Sequence, residues 1–210
     1  TSWDMGPIKL GHVDVHYDRK GIQIATHEDE MVRMHFGLKG ECDFYHKQLD
    51  TTFRKITGHH NIMYSKGFEI HVCNISLHVE TFGVTIEKAV FGEICAGMGE
   101  PLVSFAQSID TGKAAILACE WKFSTVPMRK IIHEIITCQL EDGLKKVFLV
   151  AKALELLILQ AQAYSPNQKA GNTLKTRNDH DAIIAARDIL MVRLDHPPSM
   201  HELAREAGIN

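Results

Sequence analysis

Nine of the thirteen histidines, His12, His16, His27, His35, His46, His59, His60, His71 and His78, fall within the first 78 residues. Neutral imidazole is the commonest protein metal ligand and an adaptable hydrogen-bonding anchor, so this segment carries most of the chemistry the sequence offers. Its spacing does not favour a preformed metal centre. No H-x-H with a suitably placed Glu occurs, and His35, His71 and His78 alternate with apolar residues as strand residues do by themselves. His12 and His16, four apart, share one face of a strand, whereas His35 and His71 meet only where their strands pair. No bound metal or other cofactor is expected.

The same segment can instead build a small-molecule cavity, which needs apolar walls and a few polar anchors. Phe36, Phe44, Tyr45, Tyr64 and Trp121 are the candidate walls, and Arg33, His35 and His71 the candidate anchors. Each alone has an ordinary alternative in core packing or solvent contact. Catalytic signatures are missing: there is no nucleophile elbow, P-loop or dinucleotide fingerprint, and "GEICAGMG" (92–99) reads as a helix end. The chain is therefore read as a binding protein. A cupin-like metal-binding protein or enzyme is the alternative, and a plain dimeric interaction module a third reading.

The elements that must position these residues are strands first. Residues 1–83 alternate with period two, as in "HVDVHY", "IQIAT", "MVRMHFGL", "CDFYHK", "NIMYS", "FEIHVCNI" and "SLHVETF", which indicates an antiparallel sandwich or barrel. From 84 to 164 the period becomes helical. "TIEKAVFGEICAG" and "EPLVSFAQSI" read as short helices. A clearer one spans about 127–139, with Met128, Ile131, Ile132, Ile135 and Ile136 on one face and Pro127 in its first turn. A longer helix covers about 143–164. Its Leu144, Val147, Ala151, Leu154 and Ile158 keep a 3–4 spacing suited to a helix seam, while Phe148, Leu149, Leu156, Leu157 and Leu159 widen the apolar surface. One face should pack on its own domain and the other on a second copy of the chain.

Residues 165–177, from "SPNQKAGNTLKTRN", read as a solvated linker. A third unit, 178–210, opens with a helix that buries Ile183, Ala186, Leu190 and Leu194 and stops at Pro197-Pro198. Ser199 with Glu202 then forms an S-x-x-E capping box for a short helix. Leu203 and Ala204 are small packing residues, Gly208 supplies a left-handed turn, and Asn210 is placed to cap a further helix. Two close-packed helices joined by a glycine turn form a helix-turn-helix, whose second helix reads the major groove of DNA.

The bulk numbers narrow the setting. A net charge of −3 gives no overall attraction to nucleic acid, so any DNA contact must be local. Five cysteines without a C-x-x-C pair argue against a disulfide framework or thiolate zinc site and fit a reducing cytoplasm. The most apolar stretch, 147–159, is interrupted by Lys152 and Glu155 and is shorter than the roughly 20 residues that cross a bilayer. No membrane association is expected.

The stretch "IIAARDILMVRLDHPPSMHELAREAGIN" resembles the start of the DNA-binding domain of the AraC/XylS family of transcription regulators. "LKKVFLVAKALELLILQ", with its A-K-A-L-E-L-L core, is similar to the helix before the linker in the branch related to pyochelin-type siderophore regulators. "MVRMHFGLKG" resembles that branch's β region more loosely. The resemblance implies an α+β protein: an N-terminal cupin-like sensing domain, a dimerisation helix, and the opening part of a DNA-binding domain. It implies promoter DNA as partner of the full-length regulator, a small-molecule effector such as a siderophore, and a homodimer. Ser199, Leu203, Ala204, Gly208 and Asn210 carry over as scaffold positions of the first helix-turn-helix. No base-reading residue carries over, because the chain ends before a recognition helix.

Overall fold

The computed structural model describes residues 1–54, 57–165, 185, 186, 189 and 198–208. The chain forms two compact units, Thr1–Asn167 and Gln168–Asn210. Among the described residues the first holds nine antiparallel strands, seven ahead of its helices, β1 (Ser2–Asp4), β2 (Ile8–His16), β3 (Ile22–Lys39), β4 (Cys42–His46), β5 (Thr51–Phe53), β6 (His59–Asn74) and β7 (His78–Glu87), and later the two-residue β8 (Ala115–Ile116) and β9 (Lys122–Phe123). They make one sheet ordered β1-β2-β7-β3-β6-β4-β5, with β8 and β9 pairing onto β6. The α+β class and the antiparallel β region are thus as expected.

Two element boundaries differ from the sequence reading. "IQIAT" and "MVRMHFGL" form a single 18-residue strand, because the polar run His27–Glu30 is a bulge and not a turn; an inserted residue bends a ladder without ending it. The strand region also runs past residue 83, so that Thr85–Glu87 close β7 and the first helix, α1 (Lys88–Cys95), starts later than its apolar pattern suggested.

Three more helices complete this unit: α2 (Leu102–Asp110), α3 (Val126–Ile136) and α4 (Asp142–Tyr164). The Thr125 side chain caps α3 by accepting from the Met128 amide, and Pro127 lies in the first turn, where a missing N–H costs nothing. Met128, Ile131, Ile132 and Ile135 are its buried face. Period two divides the sheet into two apolar surfaces. Ile8, Leu10, Val32, Met34, Phe36, Ile62, Tyr64, Phe82, Val84 and Ile86 join the helices in the main core. Cys42, Phe44, Phe53, Met63 and Val79 form a second cluster, with Ile70, Val72 and Trp121 packed against it.

Helix α4 has two apolar faces. Leu149, Ala153, Leu156, Leu157, Gln160 and Ala163 are buried. Leu144 and Val147 are 72% and 69% exposed, Ala151 and Ile158 are also exposed, and Leu154 is half-buried. As a whole helix it is long and apolar enough to cross a bilayer by length and composition, although its most apolar stretch alone is not. A core helix passes the same test, and one face of α4 is built into the main core.

In the second unit, α5 (Met200–Glu206) is capped by Ser199, whose hydroxyl accepts from the Glu202 amide while the Glu202 side chain accepts from the Ser199 amide at 2.9 Å. Leu203 and Ala207 are buried with Ala186, and Ala204 is half-buried. Gly208 has φ +71°, the left-handed turn expected of it. Asn210, Ile183, Leu190, Leu194 and most of the 165–177 linker lie outside the described residues.

Candidate ligand cavity

The sheet face opposite the helices encloses a cavity of about 390 Å³, within the range of small-molecule sites. Its wall is apolar: Val13, Val15, Phe44, Met63, Phe68, Ile70, Val72 and Val79 all line it. Ile22 and Ile24 are 70% and 63% exposed, and Ile24 reaches the lining from the outer half of β3, so its mouth is greasy as well.

Three basic side chains enter this wall, Arg33, His35 and His46. The Arg33 guanidinium lies 4.2 Å from the Phe68 ring centre and donates to the carbonyl of Met31 at 3.1 Å. Among the described residues no carboxylate lies within ion-pair distance of it. Burial lowers its pKa to about 10, opposed by the charge of Asp29, so it stays cationic at neutral pH. Burial brings His35 down to about 4. His46 is also held at about 4, by burial first and then by the Arg33 charge. Both imidazoles are therefore neutral, and His35 Nε2 and His46 Nδ1 are buried without a hydrogen-bond partner. Leaving such an atom unpaired costs about 1–3 kcal/mol. One fixed positive charge and two unpaired ring nitrogens in an apolar wall suit a ligand with a hydrophobic body, an anionic group and hydrogen-bonding atoms.

The residues singled out from sequence are distributed as follows. Arg33 and His35 line the cavity. Tyr45 and His71 do not: their rings meet at 5.7 Å, the Tyr45 hydroxyl donates to Asp50 at 2.9 Å, and His71 Nε2 lies 3.0 Å from Glu69. Trp121 stands behind the wall, edge-on to His35 at 5.5 Å and to Phe44 at 5.9 Å. Phe36 and Tyr64 belong to the main core. His35 and His71 are not brought together, since His35 pairs with Asn61 and His71 with Ile24. His46 and Phe68 were missed. Each sits one or three residues from a chosen position, on the opposite parity of its strand.

The far end of α4 is tied to the sheet next to this cavity. Asn61, the cross-strand partner of His35, has its carbonyl 3.3 Å from the Gln160 amide nitrogen. The Tyr164 hydroxyl donates to the His60 carbonyl at 2.6 Å and accepts from the Lys122 amide at 3.2 Å.

The first unit thus joins an antiparallel sheet around a largely apolar cavity to a long helix that keeps a spare apolar face. The chain belongs to the family described as the regulatory protein PchR N-terminal domain, which matches residues 8–175. It is 36% identical over 84 residues to the regulatory protein PchR of Pseudomonas aeruginosa, a match covering 40% of this chain and 28% of that protein. Among solved structures, an apo ToxT variant from Vibrio cholerae aligns with TM-score 0.46 and 9% identity over 98% of this chain and 72% of that one. The AraC-like transcriptional activator CuxR aligns with TM-score 0.46 and 8% identity over 100% and 69%.

Proposed function

We propose that this chain is the sensor and dimerisation portion of a cytoplasmic AraC-type regulator whose effector enters the sheet cavity, and that the effector is a siderophore of the thiazoline type. The reading is carried by one observation: Arg33 and the unpaired nitrogens of His35 and His46 belong to the lining of one largely apolar cavity. A carboxylate-bearing heteroaromatic ligand supplies what each of these groups lacks. The outward stripe Leu144, Val147, Ala151, Leu154 and Ile158 is the proposed homodimer seam, and promoter DNA is the proposed partner of the regulator. No catalytic role is proposed.

For sensing, the effector must favour one arrangement of the dimer or linker over another, since equal affinity for both shifts nothing. The contacts from His35 through Asn61 to Gln160 offer a physical route from cavity to α4.

The test is calorimetric titration of the chain with iron-free and ferric thiazoline siderophores, beside a catechol siderophore as comparison. Saturable binding is expected, weakened at least about tenfold (about 1.4 kcal/mol) in Arg33→Met. Binding that ignores Arg33→Met and His46→Ala would remove the cavity from the reading. Silence toward every siderophore would remove the ligand class.

A further inference from the structure

Three histidines that do not line the cavity, His12, His16 and His78, lie together on the other face of the sheet. Along β2, Val13 and Val15 point into the cavity, so His12, Asp14 and His16 point away from it. Along β7, Val79 and Thr81 line the cavity, and His78 and Glu80 take the opposite side. The ladder places His16 directly across from His78 and Asp14 across from Glu80. The His16 and His78 rings are stacked, with centres 3.8 Å apart and planes inclined by 21°. His78 Nε2 is 2.7 Å from an Asp14 carboxylate oxygen. Further along, His12 Nε2 and Glu80 pair at 2.8 Å, which occupies both of them.

We propose that Asp14, His16 and His78 form a binding site for a borderline divalent cation such as Zn²⁺, separate from the cavity. One ligand atom from each of the three lies within 4.8 Å of the others. A tetrahedral zinc site with bonds near 2.0–2.1 Å sets its ligand atoms about 3.3 Å apart, so closure is a matter of roughly 1.5 Å. Asp14 and His16 are exposed and His78 half-buried, which leaves the rings free to rotate into it. The set of two imidazoles and one carboxylate is that of open zinc-type sites, with a fourth position left for water or an incoming ligand. It also answers a local question. Two imidazoles in face contact gain little from each other in water, but a cation between their nitrogens turns the pair, with its carboxylate, into a chelate. The metal would replace the proton now shared by His78 and Asp14, and the His12–Glu80 pair beside it would hold the neighbouring turn of the ladder.

Bound here, a cation staples β2 to β7. It therefore raises the melting temperature, because a ligand that binds the folded state stabilises it by mass action.

The experiment is titration of the metal-free chain with Zn²⁺, and with Co²⁺ to read coordination from its visible absorbance. Expected are one ion per chain, a higher melting temperature with Zn²⁺, and a tetrahedral-type Co²⁺ spectrum. His16→Gln and His78→Gln should each weaken binding at least tenfold with unchanged circular dichroism, and Asp14→Asn less so. His35→Ala and His46→Ala should bind as the parent does. Equal binding by the His16 and His78 variants overturns the proposal, as does loss of binding in the His35 or His46 variants, which would place the ion in the cavity. So does the absence of any one-to-one binding in the parent chain.

Discussion

The amide nitrogen of Gln160, buried on α4, lies 3.0 Å from Nδ1 of His60 on β6. With that nitrogen donating, His60 Nδ1 is the acceptor and its proton sits on Nε2, so one helix residue sets the tautomer of a sheet residue. Both side chains are fully buried, where a hydrogen bond gains strength and its loss is correspondingly costly.

Gln160→Leu should therefore destabilise the first unit by about 1–3 kcal/mol, the cost of stranding the His60 nitrogen and the Asn61 carbonyl. Urea unfolding of the variant against the parent measures it. A Gln160→Leu variant as stable as the parent would show that the amide does not tie helix to sheet. Gln160→Glu should also destabilise, because it places a charge at a fully buried position whose desolvation must be offset by protonating His60.

Stability should also fall as the solution is acidified. His35, His46 and His60 are each held near 4 in the folded protein, largely by burial, against about 6.5 in an unfolded chain. Between those values the unfolded chain carries the extra protons, so the contribution is intact above pH 6.5 and lost as pH drops toward 4. Each histidine costs roughly 1.4 kcal/mol per pH unit in that window. Urea midpoints at pH 7.5, 6.0 and 5.0 should decline steadily, and a flat profile from pH 7.5 to 5.0 would contradict neutral buried imidazoles.

The two faces of α4 should respond oppositely to substitution. Leu157→Ala empties a buried position and should cost about 2–5 kcal/mol. Val147→Glu and Leu154→Glu, on the outward stripe, should leave the fold intact and convert a sedimenting dimer to monomer. If these variants sediment like the parent, the stripe is not the seam.

How much of this could be read in advance depended on which physical signal each feature leaves. Helices α3 and α4 were legible because Met128, Ile131, Ile132 and Ile135, and the two faces of 142–164, repeat at helical spacing. The capping box at Ser199 and the turn at Gly208 are local, and both were readable. The strands were recognisable but their parity was not: in "FYHK" alternation alone does not say whether Tyr45 or His46 faces inward, and a shift of one residue exchanges the faces. Tyr45 and His71 were chosen on that parity where His46 and Phe68 line the wall. The same blindness hid the pairing of His16 with His78. Asp14 and His16 share a face on any reading of β2, but their partner His78 arrives from 64 residues beyond Asp14, and only the ladder register brings it there.

Strand β6 is uninterrupted from His59 to Asn74. Its later half offers Phe68, Ile70 and Val72 to the cavity, while its first residues hold α4 through His60 and Asn61. A body lodged against one half thus leans on a plank whose other end carries the helix. Gly67, with φ +63° and a β-carbon position only 3.1 Å from the His27 carbonyl, joins the two halves where the β3–β6 register shifts, a point at which no larger residue fits without strain.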